Sequence, residues 1–137
     1  MGERLTRFTP KKELKELINK PSDLDLVTAI IYYSGIKKVT ETDMLKFLKE
    51  KKEEGKNPKF FKEFYLPGIS DFSIFLGSSD VLFPRCDGWN VDRTLKAKRG
   101  VSKRIKEVFD FKERRALKNL GNQFKKIIQK EQGNERR

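Results

Sequence analysis

The sequence predicts a mainly α chain with a small β-hairpin, an α+β fold, and three observations carry that expectation. Apolar residues recur at helical spacing over most of the chain, in runs opened by capping residues and closed by glycine or proline. Between Ile69 and Cys86 the period shortens to that of extended chain. Beyond Arg93 the helical spacing returns under a dense coat of Lys and Arg.

Taken in order, Thr9-Pro10 pairs an N-cap hydroxyl with a proline at the first helical position, and Leu14, Leu17 and Ile18 form an apolar face ended by Pro21. Ser22-x-x-Asp25 is a capping box for a second helix, which turns Leu26, Val27, Ile30 and Ile31 inward. Gly35 stands where that helix would end, and its apolar content places it at the centre of the core. A short extended piece, 36–39, leads to Thr40-x-x-Asp43 and a third helix with Met44, Phe47 and Leu48 inward, closed by Gly55. Asn57-Pro58 then opens a short helix over 58–66, ended by Pro67-Gly68. Phe72, Ile74 and Leu76 alternate, Gly77-Ser78-Ser79-Asp80 reads as a turn, and Val81-Leu82-Phe83 follows. These residues predict a hairpin with strands at 71–76 and 80–84. Cys86-Asp87-Gly88-Trp89-Asn90 reads as a second turn, with Trp89 a lid packed on the body.

Charge divides the chain in two. Residues 93–137 hold 16 Lys+Arg against 5 Asp+Glu, a net of +11 out of the chain's +12, so residues 1–92 are almost neutral. The expected organisation is therefore a body, 1–92, with core elements within 22–86, and a basic helical extension, 93–137, with a frayed tail at EQGNERR. Val101, Ile105, Val108 and Phe109 give the extension one apolar stripe, and Leu117, Leu120, Phe124 and Ile128 give it a second. Asp110-x-x-Glu113 interrupts the register as an N-cap pair, so two helices are expected. Gly121 inside the second costs about 1 kcal/mol against alanine and weakens that helix.

Composition excludes much chemistry. The chain has no histidine and one cysteine, Cys86. A His general base, a Cys/His zinc site and an intramolecular disulfide are thereby ruled out. The longest uncharged run in the body, Leu26 to Ile36, falls short of the roughly 20 residues of a membrane span. MGERLTRF has no apolar signal core, and a cytoplasmic location is expected. Met1-Gly2-Glu3-Arg4-Leu5-Thr6 fits the myristoylation template, but that template is permissive and no membrane partner is expected.

The order of elements in 22–86 (helix, short strand, helix, short helix, hairpin) resembles a winged helix-turn-helix domain. The resemblance implies that Lys56, Lys59 and Lys62 belong to a recognition helix in a DNA groove, with Ser78, Ser79 and Asp80 at the wing tip. The sequence departs from that pattern: the short helix carries Phe60, Phe61, Phe64 and Tyr65 rather than Arg, Asn or Gln, the usual base-edge readers.

Phosphate contact is therefore assigned first to the extension, through Arg99, Lys103, Arg104, Lys106, Arg114, Arg115, Lys118, Lys125 and Lys126. The expected function is a small nucleic-acid-binding protein, a transcriptional regulator with duplex DNA favoured over RNA. The stripe at Leu117, Leu120, Phe124 and Ile128 either folds back on the body or pairs with a second copy in a homodimer. Two other classes compete: an RNA- or ribonucleoprotein-associated protein, and a protein-interaction or viral accessory protein whose arm binds an acidic partner. Asp71, Asp80, Asp87 and Asp92, with Lys96 and Lys98, are the residues a metal-dependent nuclease would use. Aspartate in turns has a conformational explanation, so no catalytic residue, metal or cofactor is assigned.

Overall fold

The computed structural model describes the backbone of residues 21–135 and the side chains of 21–130. The helix expected after Thr9, with Leu14, Leu17 and Ile18, lies outside the described residues, as does the Met1–Thr6 motif. The elements run α1 (Asp23–Ser34), β1 (Lys38–Val39), α2 (Glu41–Glu54), α3 (Pro58–Phe61), α4 (Ile69–Gly77), β2 (Leu82–Arg85), β3 (Gly88–Val91), α5 (Leu95–Val108) and α6 (Phe111–Glu135). The fold is mainly helical with a three-stranded antiparallel sheet in the order β1-β3-β2.

Local capping chemistry sets the first two long helices. Ser22 accepts from the Asp25 amide at 3.1 Å while the Asp25 carboxylate accepts from the Ser22 amide at 2.9 Å, a reciprocal box at the start of α1. Thr40 accepts from the Asp43 amide and opens α2. Both helices close on a left-handed glycine, Gly35 and Gly55.

The segment 58–83 folds differently from expectation. Asn57 does not cap with its side chain, and α3 ends at Phe61 rather than continuing to residue 66. Phe61 and Phe64 are both drawn into the core, and Pro67 keeps Leu66 out of helical backbone, so the chain opens between them. The stretch read as strand 71–76 is α4. Its buried positions are Phe72 and Leu76, with Phe75 half-buried, an i, i+3, i+4 set, whereas Ile74 is 73% exposed. With Phe75 the run contains both the alternating set 72, 74, 76 and the helical set 72, 75, 76, and Gly68 after Pro67 supplies a helix N-cap. The hairpin therefore lies later, with β2 and β3 joined at Cys86-Asp87. Ser78, Ser79 and Asp80 link α4 to β2 and are not its tip. Trp89 and Asn90 belong to β3 rather than a turn. The indole of Trp89 is buried and donates to Glu41 Oε1, while β1 pairs Val39 with Trp89.

The basic extension forms two helices that are part of the core. Asp110 accepts from the Glu113 amide at 2.8 Å and Glu113 accepts from the Asp110 amide at 2.9 Å, so α6 starts with its own capping box. α6 continues through Glu135, past the expected start of the frayed tail. Leu117, Leu120, Phe124 and Ile128 are buried, and the Phe124 ring lies 5.1 Å from that of Phe47 in α2. The stripe has thus folded back on the body; a homodimer through these four would need α6 to leave its own core. One contiguous cluster runs from Leu26 to Ile128, taking residues from both sides of Arg93.

Close packing at one glycine and a set of hydrogen bonds from one arginine help to tie the extension to α1. Gly121 of α6 passes so near α1 that a Cβ there would stand 2.7 Å from Tyr33 Cβ and 2.8 Å from Ser34 N. Arg93, just before α5, donates to the carbonyls of Ile31 (2.9 Å), Tyr32 (3.2 Å) and Ile36 (2.7 Å). Two of these three, Ile31 and Tyr32, belong to the last turn of α1, and the Arg93 guanidinium lies 4.6 Å from the Tyr32 ring centre.

Candidate nucleic-acid interface

The two cationic helices pack on α1 with their apolar stripes and turn the remaining faces to solvent. Of the residues assigned to phosphate contact, Arg99, Lys103, Lys106, Arg115, Lys118, Lys125 and Lys126 are exposed. Lys118 also lies 5.9 Å over the Tyr33 ring. Two others have internal partners. Arg114 is half-buried and donates to the Phe109 carbonyl at 3.1 Å, closing the α5–α6 joint. Arg104 reaches Asp25 through two nitrogens, at 3.2 and 3.0 Å.

Lys56, Lys59 and Lys62 are exposed around the single turn of α3 rather than along a recognition helix. Lys59 meets Glu113 of α6 at 3.1 Å, and the carboxylate raises the Lys59 pKa. The structure therefore brings Lys59 to the start of α6, whereas Lys56 and Lys62 surround a separate groove against Lys52 and Phe61.

The outward faces are strongly unbalanced. From Arg93 to Lys130, eleven Lys and Arg are exposed, and Glu107 and Asp110 are the exposed acids. Four of those eleven, Lys96, Lys98, Lys112 and Lys130, were not among the residues assigned from sequence. Extending the 3.6-residue period of each apolar stripe to its opposite side would have found Lys112 and Lys130. Among the described residues, Arg104 is the cation of this segment held in an ion pair with a body carboxylate.

That pair makes stability depend on acid. Burial pushes the Asp25 carboxyl up, but hydrogen bonds from Arg104 and Ser22 outweigh it and hold the group below its ordinary range. Because the folded pKa is the lower one, the contribution is present above about pH 4 and is lost as pH falls through the folded value. Solvent still reaches Arg104, whose side chain is 38% exposed, so the pair is worth no more than about 1 kcal/mol. Asp25→Asn is expected to flatten the acid limb of a Tm-against-pH curve. Parallel losses in variant and wild type below pH 4 would show that Asp25 carries no such linkage.

Asp71 and Asp87 stand apart from the groove that Asp80 and Asp92 line. Asp71 sits in the first turn of α4, Asp87 at the hairpin tip 3.8 Å from Arg85, and Asp92 accepts from the Thr94 amide at 2.9 Å. Asp80 lines a groove of about 540 Å³ between α1, α5 and the α4–β2 link, which Asp25, Asp92, Lys96 and Arg104 also line. Among the described residues no three His, Cys, Asp or Glu side chains gather as a metal site. No described helix is long and apolar enough to cross a membrane. No protein-family model, curated protein or solved structure matches this chain.

Proposed function

We propose that this protein binds nucleic acid, duplex DNA in preference to RNA, through the outward faces of α5 and α6, and serves as a cytoplasmic DNA-binding regulator. The observation that carries the proposal is the charge imbalance just described: eleven exposed cations in one segment, with two exposed acids to offset them. A polyanion gains from such a face because each neutralised phosphate releases counterions. A mixed Lys/Glu surface would have no such preference.

The winged-helix reading of the body remains part of the proposal. A helix directly before a two-stranded hairpin, and a first strand added to the outside of β3, support it. The helix in the recognition position is then α4, whose exposed residues include Ile69, Ser70, Asp71 and Ile74 and no cation. Phosphate contact therefore falls to α5 and α6.

The test is fluorescence anisotropy on the full chain with labelled duplex DNA at several salt concentrations. The comparison is with a variant carrying Lys103→Gln, Lys106→Gln, Lys125→Gln and Lys126→Gln. Wild type is expected to lose affinity steeply with salt, and removal of four cations to reduce the log–log slope by roughly 3 to 4. Equal binding and equal slope in the two proteins would place the nucleic-acid surface elsewhere or remove it.

A further inference from the structure

The solvent side of α6 is ordered by residue type as well as by charge. Lys112, Arg115, Asn119, Asn122, Lys126 and Lys130 follow at intervals of three and four, which puts them in one row. All six are exposed. At about 100° per residue the row lies roughly opposite Leu117, Leu120, Phe124 and Ile128, the buried stripe. It extends about 27 Å along the helix, with lysine at both ends and Arg115, Asn119 and Asn122 between them.

Among the described residues the two asparagine side chains have no partner. Asparagine is a poor helix former, since its amide competes for backbone hydrogen bonds, yet these two stand in the interior of a 25-residue helix. Neither caps an end, and neither amide bonds another described residue. Their types do match an external one: Asn pairs in bidentate fashion with adenine N6 and N7, and Arg with guanine O6 and N7.

We infer that this row of α6 reads base edges in the major groove of duplex DNA, an assignment that rests on the nucleic-acid reading above and adds sequence discrimination to it. Asn119, Asn122 and Arg115 meet the bases, while Lys112, Lys126 and Lys130 hold phosphates along the groove walls. The occupant is B-form DNA because its major groove, about 12 Å wide, admits a helix. The major groove of duplex RNA is too narrow and deep for side chains to read. Asn119 and Asn122 are separated by about 4.5 Å along the helix axis. The base-pair step is about 3.4 Å, so the two amides address neighbouring pairs. Arg115, one turn before Asn119, addresses a third pair on the far side of it. The preferred site holds adjacent adenines with a guanine close by.

The test starts with selection from a randomised duplex pool by the full-length protein, followed by titration of the selected and a scrambled duplex. Wild type is expected to prefer the selected duplex at least ten-fold. Asn119→Ala with Asn122→Ala, both exposed and both toward a better helix former, is expected to bring that ratio close to one. Its Tm should hold or rise, and its affinity for the scrambled duplex and its salt slope should stay unchanged. Lys112→Gln with Lys126→Gln and Lys130→Gln should weaken both duplexes alike, lower the slope by about 3 and keep the ratio. Selection of no sequence, with salt-dependent binding intact, overturns base reading and leaves phosphate contact standing. A ratio that survives in the asparagine variant also overturns it, while failure to bind any duplex at low salt overturns both readings.

Discussion

Phe124→Ala is expected to remove about 3–5 kcal/mol of stability, the cost of emptying a ring-sized space in a packed core. Phe124 is fully buried and its ring rests against Phe47, so α6 and α2 lose their shared aromatic contact together. Small domains are stable by only about 5–15 kcal/mol, and the variant should unfold at far lower urea. Equilibrium unfolding by circular dichroism measures this as a fall in midpoint at constant m-value. A loss below about 1 kcal/mol would mean that the basic extension is only lightly attached. The same packing bears on any fragment 1–92: it would lack Leu117, Leu120, Phe124 and Ile128 and expose the apolar surfaces they cover. Charge substitutions in the whole chain are therefore the sound way to locate binding energy.

Gly121→Ala should destabilise the protein even though alanine is the better helix former. Helix propensity favours the change by about 1 kcal/mol. Against this, the new methyl would meet Tyr33 Cβ at 2.7 Å and the backbone of Tyr33 and Ser34 at 2.8 Å, so α6 must move away from α1. Overpacking of this kind costs about 1–3 kcal/mol and more where backbone is the obstacle. A net loss of about 2 kcal/mol is expected, read as a Tm lower by roughly 5–10 °C. A raised Tm would show that the helices can separate freely there. Gly121 is thus a point of close packing between α6 and α1, not the weak link that intrinsic propensity makes of it.

Much of the fold was legible along the chain. The capping pairs Ser22/Asp25 and Asp110/Glu113 form as read, and the inward residues of α1, α2, α5 and α6 are those the 3.6-residue period selects. Segment 58–83 was not legible in the same way. Phe72, Ile74, Phe75 and Leu76 are four apolar residues in five positions, which supply a strand face (72, 74, 76) and a helix face (72, 75, 76) alike. The choice fell to packing: Phe72 and Leu76 enter the core from one helical face and Ile74 does not. Of the candidate site, the cationic bias was plain in composition, while the internal engagement of Arg104 with Asp25 was not. Those two residues stand 79 positions apart.

Helix starts, helix ends and apolar faces follow from chemistry within three or four residues, and such chemistry is written directly in the chain. The folded arrangement alone decided that the charged third shares a core with the rest. Only there does Gly121 meet Tyr33, or Arg93 cap a helix sixty residues away. These contacts depend on how complete helices approach one another, and no short window of sequence contains that distance.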